Sequence, residues 1–269
     1  MALPERKTAD CNGRKISYRE AGQGPAVLFL HGIGSGSASY KGQFDGLSRK
    51  WRMIAWDAPG YGASDPLDAE TPNSADYAAA AAALLDALDI EKIHLVGHSL
   101  GTVIGSAVAA RYPERLLTVT RASATAGYAK ADHAARVDRL NARIGAIRDL
   151  GPAGMAEARG REVLSPNASD DALAKVRAVM AGLRVDGYCQ AARMLHSSDI
   201  FDDIATISVP AMVLCGSADT VTPEALNQRI AAAIPGAVYR SLPGLGHACY
   251  VENPTLFNDA LGQFLEAHP

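Results

Sequence analysis

Short apolar runs that alternate with helix-forming segments constrain the fold of this chain more than any other feature. The runs lack the polar alternation of a strand with one face in water, so they suit strands that are buried on both faces. Between them, the alanine-rich segment 76–88 and the segment 100–110 have the composition of helices. This alternation predicts an α/β fold with a mostly parallel central sheet flanked by helices. The apolar runs are residues 26–30, 53–56, 93–96, 116–120 and 211–215.

The two ends of the chain predict the outer elements of this sheet. Residues 7–11 and 15–20 flank an Asn-Gly pair at 12–13, which tolerates the positive φ angles of a tight β-hairpin turn. Near the other end, we expect an edge strand at residues 237–242 and a closing helix at residues 254–267.

The alternation of strands and helices stops after the sixth predicted strand. Two sets of apolar residues at helical spacing follow, and no strand-like run lies among them. We therefore expect a core made of residues 1–122 and 204–269, with residues 123–203 inserted as a helical lid (cap). The two sets are Val137, Leu140, Ile144 and Ile147, and Leu173, Val176, Met180 and Leu183.

Composition and charge exclude several classes of protein. The formal net charge of −3 offers no basic face for nucleic acid, and no apolar run approaches the roughly 20 residues that cross a bilayer. The four cysteines are widely spaced, without the spacing of a metal site, which favours a reducing, cytoplasmic location. The only partner that these features predict is a small-molecule substrate, and they specify no oligomeric state.

One motif carries recognisable chemistry. Gly97-His98-Ser99-Leu100-Gly101 is the only G-x-S-x-G in the chain, and it directly follows a predicted strand and opens a predicted helix. In that setting the serine lies on a sharp turn with its hydroxyl exposed above the sheet. A serine hydroxyl is a poor nucleophile at neutral pH, so the motif requires a base nearby.

His247 and Asp219 are the best candidates for the groups that would activate Ser99. His247 lies in a glycine-rich loop after the last predicted strand, and Asp219 follows the run 211–215. Side chains at the carboxyl ends of parallel strands can meet above the sheet. The chain order Ser99, Asp219, His247 is the one expected when a G-x-S-x-G serine is the nucleophile, so we predict a catalytic triad.

The other histidines and Asp57 have simpler interpretations. His31 and His98 flank glycines and are expected to tie turns together, His94 is expected in the core, and Asp57 is expected to stabilise a turn. His133 and His196 fall in the inserted segment, where either could meet substrate, and the terminal His268 is assigned no role.

An acyl-transfer site also needs hydrogen-bond donors for the oxyanion that forms during the reaction. We expect the backbone N–H groups of Leu100, which follows the nucleophile, and of Ile33, in the glycine-rich loop after the third strand. For the inserted segment, the sequence suggests two arginines that could bind a substrate carboxylate and four residues that could line an apolar wall. These candidates are Arg161 and Arg193, and Tyr128, Met155, Tyr188 and Met194.

Five segments, in this order, resemble the α/β-hydrolase superfamily: His31-Gly32, residues 57–62 (DAPGYG), residues 97–101 (GHSLG), residues 216–219 (GSAD) and Gly246-His247. Within the superfamily, the sequence most resembles the 3-oxoadipate enol-lactonase and meta-cleavage-product hydrolase groups, and residues 185–189 and Val209-Pro210 are similar to enol-lactonase segments. The resemblance implies the α/β-hydrolase fold, no cofactor and no metal. It also implies a serine hydrolase that acts on a small carboxylic ester, an enol-lactone or a related carbonyl compound through an acyl-enzyme.

Several alternatives remain open at the level of sequence. The chain could cleave a C–C bond of a meta-cleavage diketone, or be a non-hydrolytic member of the fold such as a cofactor-free oxygenase, lyase or perhydrolase. It could also be a ligand receptor that keeps the three residues. A dinucleotide-binding enzyme is disfavoured, because the third glycine of Gly32-x-Gly34-x-Gly36 is misplaced for G-x-G-x-x-G.

Overall fold

An eight-stranded sheet forms the centre of the molecule in a computed structural model that describes residues 2–269. In chain order, strands β1 to β8 are Arg6–Cys11, Arg14–Ala21, Ala26–Leu30, Arg52–Trp56, Ile93–His98, Leu116–Ala122, Ala211–Gly216 and Val238–Leu242. Their spatial order is β1-β2-β4-β3-β5-β6-β7-β8. Both pairings made by β2 are antiparallel and the other five are parallel, which confirms the mostly parallel sheet.

Helices follow most of the strands and flank the sheet. In chain order, helices α1 to α10 are Lys41–Leu47, Ser74–Ala87, Leu100–Arg111, His133–Arg159, Asp170–Met180, Val185–Ser197, Phe201–Ile204, Glu224–Ala232, Cys249–Glu252 and Pro254–Glu266. None of the helices within residues 2–269 combines the length and the apolar character needed to cross a lipid bilayer.

The strands at the centre of the sheet are buried along nearly their whole length, which is why the apolar runs predicted them. Every residue of β3, β5 and β7 is buried, as expected for strands with helices on both faces. By contrast, β8 is the last strand of the sheet and only Leu242 in it is buried, which agrees with its prediction as an edge strand.

The predicted boundaries are correct to within one or two residues. The hairpin turn lies at Asn12 and Gly13, whose φ angles are 57° and 83°, and Cys11 pairs with Arg14 across it. Strand β2 runs one residue further at each end than predicted, because Arg14 pairs with Cys11 of β1 and Ala21 pairs with Met53 of β4.

Four helices, α4 to α7, lie between β6 and β7, in the segment where the alternation stops. Helix α4 is kinked at Gly151, whose φ of 64° is not helical and which precedes Pro152. The predicted apolar stripe on α4 is only partly buried, since Ile147 is inaccessible while Val137 remains 38% exposed. The division into a core and a separate lid at residues 123–203 stays a prediction.

Helix α6 is fastened to the loop that follows β4. The Cα of Gly187 packs directly against the backbone of Gly60, and no side chain fits between the two. The Gln190 amide donates hydrogen bonds of 2.8 Å to the carbonyls of Leu67 and Ala69. One face of α6 is therefore held against the loop after β4 by contacts with the backbone of that loop.

We expect Gly187→Ala to lower the free energy of unfolding by about 1–3 kcal/mol, the usual cost of overpacking a close contact. The added Cβ would overlap the carbonyl of Gly60, and backbone cannot rotate away as a side chain can. Denaturant unfolding measures the effect. Gly145→Ala is the matched control, because the nearest atom to its new Cβ is 4.0 Å away and alanine favours a helix. Equal stability of the two variants would contradict the expectation.

Candidate active site

Ser99 lies on the sharp turn between β5 and α3, as the motif predicts. Its φ of 51° and ψ of −114° fall where residues other than glycine are rarely found. The turn is close-packed, because a Cβ on Gly97 or Gly101 would overlap neighbouring backbone. Such strain persists only where the surroundings hold it, and it frequently marks a functional site.

Hydrogen bonds on both sides of Ser99 hold this turn in place. The Ser99 N–H donates to the carbonyl of Ala122 at the end of β6, at 3.0 Å. The Ser99 carbonyl accepts from both the N–H and the hydroxyl of Thr102, at 2.9 and 2.6 Å. The Ser99 hydroxyl takes part in none of these bonds, and Ser99 borders a cavity.

His247 and Asp219 form a buried pair at the same edge of the sheet. Nδ1 of His247 lies 2.9 Å from Oδ2 of Asp219, and each residue is 5% exposed. Because the carboxylate can only accept, the imidazole donates from Nδ1, and Nε2 is left as the basic nitrogen. His247 lines the same cavity as Ser99, although no hydrogen bond joins Nε2 to the Ser99 hydroxyl.

Thr222, which the sequence analysis missed, completes the environment of Asp219. Its hydroxyl donates to Oδ2 at 2.8 Å and lies 3.1 Å from Nδ1 of His247. The N–H groups of Val221 and Thr222 both donate to Oδ1, at 2.8 Å. Burial alone would raise the pKa of Asp219, but His247 and these donors outweigh it and lower that pKa to about 2. The carboxylate therefore stays ionised beside the imidazole.

A second histidine supports the backbone of the first. Nε2 of His98 lies 2.9 Å from the carbonyl of His247, and the ring of His98 contacts the rings of His247 and Tyr250. Burial, with the nearby His247, lowers the pKa of His98 to about 3, so His98 is neutral. It donates from Nε2 and ties two loops together, as predicted. Tyr250 was not anticipated.

His31 fixes the loop that carries Ile33. Its Nε2 accepts from the N–H of Ala58 at 3.0 Å, so Nδ1 carries the proton and donates to the carbonyl of Gly32 at 2.8 Å. That carbonyl also accepts from the N–H of Ser35, at 3.1 Å. Within residues 2–269, no acceptor is bonded to the N–H of Ile33.

A cavity of about 130 Å³ opens above Ser99 and His247. Its other walls come largely from the segment between β6 and β7. Of the predicted wall residues, Tyr128, Met155 and Tyr188 line it. Val176, Met180, Leu183 and Leu195 add further apolar surface.

Three predicted substrate-binding residues lie elsewhere. The exposed guanidinium of Arg161 donates to the carbonyls of Pro166 and Ala168 in its own loop. Arg193 pairs with Glu70 at 3.2 Å, and Met194 is fully buried among the helices. None of the three lines the cavity in this structure. His133 and His196 do not line it either.

Arg121 is buried beneath α3 and does not reach the cavity. One of its nitrogens, Nη1, donates to the carbonyl of Thr102 and to the hydroxyl of Ser106, at 3.0 and 2.7 Å. Burial lowers the pKa of Arg121 to about 10, which leaves it charged at neutral pH. Its contacts are with the first turns of the helix that begins at Ser99.

Comparison with known proteins agrees with this fold. A family model described as alpha/beta hydrolase fold matches residues 25–254. The 3-oxoadipate enol-lactonase 1 of Acinetobacter baylyi is 27% identical over 218 residues, which cover 78% of each chain. The (E)-2-((N-methylformamido)methylene)succinate hydrolase of the same organism is 25% identical over 265 residues, covering 96% of this chain and 97% of that one. An esterase from Thermogutta terrifontis superposes with a TM-score of 0.89 at 23% identity, over 98% of this chain and all of the other.

The fold and the residues at the edge of the sheet are those of a hydrolase with a serine at a strand-to-helix turn. The chain belongs to the α/β-hydrolase family.

Proposed function

We propose that this protein is a serine hydrolase that cleaves a small carboxylic ester or enol-lactone through an acyl-enzyme on Ser99. The observation that carries the proposal is the His247–Asp219 hydrogen bond of 2.9 Å, buried beside the cavity that Ser99 also lines. A strained serine, a basic nitrogen and an ionised carboxylate are the three groups that nucleophilic acyl transfer requires.

In the proposed reaction, Nε2 of His247 takes the proton of the Ser99 hydroxyl as its oxygen attacks the substrate carbonyl. Asp219 orients the ring through Nδ1 and stabilises the imidazolium that forms. No hydrogen bond joins Nε2 of His247 to the Ser99 hydroxyl in this structure, and in enzymes such bonds often tighten only in the substrate complex. The imidazolium then protonates the leaving alkoxide or enolate.

In the proposed reaction, the backbone N–H groups of Ile33 and Leu100 stabilise the oxyanion. The carbonyl of Gly32 is held by His31 and Ser35, and a trans peptide directs the adjoining N–H of Ile33 the opposite way. Leu100 is the first residue of α3, where an N–H has no partner within the helix. Gly32 lies beside Ser99, since a Cβ on Gly32 would come within 3.2 Å of the Ser99 Cβ, and Leu100 directly follows Ser99 in the chain. Donors of this kind usually supply the largest stabilisation of the transition state.

Water completes the proposed cycle. His247 removes a proton from a water molecule, which attacks the acyl-enzyme carbonyl. The tetrahedral intermediate then collapses, the carboxylic acid is released, and the proton returns to Ser99. Atoms balance with water as the only co-reactant, so the chemistry requires neither a metal nor a cofactor.

The size of the cavity favours small acyl groups. A dry protein cavity of about 150 Å³ accommodates benzene, and the cavity here is about 130 Å³. Its walls are mostly apolar. A substrate with an acyl part of about six heavy atoms would fill it.

A turnover panel tests the proposed function. We expect steady-state release of acid from short aryl esters and enol-lactones, with slower turnover as the acyl chain outgrows the cavity. A meta-cleavage diketone and a simple amide complete the panel. Faster cleavage of the diketone than of every ester would favour a C–C hydrolase instead. Absence of turnover with all four classes would contradict a hydrolytic role for Ser99.

A further inference from the structure

Charged side chains are few in the cavity, and only one of them lacks a partner. Arg143, Arg159 and Glu162 are the charged residues among those that line it, apart from the proposed triad. Arg159 and Glu162 neutralise each other through an ion pair of 2.6 Å. Arg143 forms no ion pair and no hydrogen bond with any residue in the described range 2–269. The cavity therefore carries one uncompensated positive charge.

The surroundings of Arg143 give it no anion to pair with. It lies on α4, half-buried, with the buried rings of Tyr61 and His196 close enough to feel its charge. Burial already raises the pKa of Tyr61 and lowers that of His196, so both rings are neutral.

The charged residues that share a face of α4 with Arg143 have the same sign. Arg136 and Arg139 precede Arg143 by seven and four positions and so lie on the same helix face. The guanidinium of Arg139 lies 4.9 Å from the ring centre of Tyr128, which lines the cavity. Three positively charged arginines thus lie in a row along α4, and the last of them, Arg143, lines the cavity.

We propose that Arg143 binds a carboxylate of the substrate, so that the preferred substrates are anionic esters or lactones with a carboxylate a few bonds from the scissile carbonyl. This inference rests on the proposed function, because it assigns a substrate class to the same cavity. A guanidinium forms strong charge-assisted hydrogen bonds with a carboxylate. A neutral substrate of the same shape would leave the Arg143 charge unpaired against apolar walls.

Two esters of equal size, one anionic and one neutral, test the proposal. The 4-nitrophenyl ester of succinic acid carries a carboxylate, and 4-nitrophenyl 4-methylpentanoate replaces that carboxylate with an isopropyl group. We expect wild-type kcat/KM, after subtraction of the enzyme-free rate, to favour the anionic ester by about 10- to 100-fold, the effect of a hydrogen bond to a charged group.

Arg143→Met is the critical variant, because methionine keeps an unbranched apolar side chain and removes the charge. We expect it to abolish most of the preference, with the loss mainly in KM for the anionic ester. A ratio of two rates is insensitive to a partly unfolded sample. Arg148→Met is the matched control, since Arg148 lies exposed on the same helix away from the cavity, and it should keep the wild-type ratio. A wild-type preference for the neutral ester, or a ratio unchanged in Arg143→Met, would overturn the proposal.

A binding measurement separates this inference from the proposed function. The measurement uses the Ser99→Ala variant, so that no turnover is needed. We expect succinate to raise the melting temperature of this variant and the neutral succinamide to have no such effect. Adding Arg143→Met should remove the stabilisation by succinate. The anion site would be contradicted if succinate did not stabilise the protein, or if the stabilisation persisted in Arg143→Met. This holds whether or not the esters are hydrolysed. Failure of turnover together with Arg143-dependent binding would instead reject the proposed hydrolysis alone.

Discussion

Ser99→Ala is expected to reduce kcat with a short aryl ester by roughly 10⁴- to 10⁶-fold. The hydroxyl is the only group at the turn that can form the acyl-enzyme, and the remaining members of a triad cannot substitute for it. Steady-state turnover, with a burst measurement for acyl-enzyme formation, checks the result.

Loss of activity in Ser99→Ala must be separated from loss of fold. The side chain of Ser99 makes no hydrogen bond that holds the turn, since the bonds there use its N–H and carbonyl. The variant should therefore unfold at nearly the wild-type temperature. Ser197→Ala removes an exposed serine from the end of α6 and should retain full turnover. Activity within tenfold of wild type in Ser99→Ala would exclude Ser99 as the nucleophile.

Asp219→Asn is expected to reduce kcat by about 10³- to 10⁴-fold, because the amide would hold His247 in the wrong tautomer. The N–H groups of Val221 and Thr222 both donate to Oδ1, so the carbonyl oxygen of asparagine would occupy that position. Its NH₂ group would then face Nδ1 of His247 and donate to it. The ring proton would move to Nε2, which could no longer accept the proton of Ser99. Full-rate ester hydrolysis by Asp219→Asn would show that the acid is another residue.

The stability of the same variant provides an independent readout of the charge at Asp219. The pKa of Asp219 is about 2 in the folded chain, below the ordinary value of 3.8. A lowered pKa stabilises the fold above the ordinary value, and the contribution is lost as the pH falls through the folded value. The shift corresponds to roughly 2 kcal/mol. The stability difference between wild type and Asp219→Asn should thus shrink as the pH falls from about 4 towards 2. A difference that grows over that interval would contradict the assignment.

The centre of the fold could be predicted because five of its eight strands are short apolar runs whose burial leaves little ambiguity. The G-x-S-x-G turn was equally clear, since Gly97 and Gly101 are required by close backbone packing around Ser99. Asp219 and His247 followed from their positions after strands, because parallel strands bring their carboxyl ends together.

The lining of the cavity could not be predicted in the same way. Which face of α4 meets the cavity depends on how the helix packs, and nothing in the local sequence distinguishes Arg143 from Arg161 or Arg193. Those two arginines find acceptors in nearby backbone and in Glu70, contacts that exist only in the folded chain. Thr222 had a usable signal, because an aspartate followed three residues later by threonine favours a side-chain-capped turn.

The topology of the sheet has a consequence for how activity returns after denaturation. Strands β6 and β7 pair from Val119 and Ala211 onwards, although helices α4 to α7 lie between them in the sequence. Their pairing therefore closes a long loop. Such long-range pairing is slow, because the entropy of closing the loop is lost before the contacts form. Since Asp219 follows β7 and Ser99 precedes β6, catalytic competence in a refolding experiment should emerge last, well after helical circular dichroism has recovered.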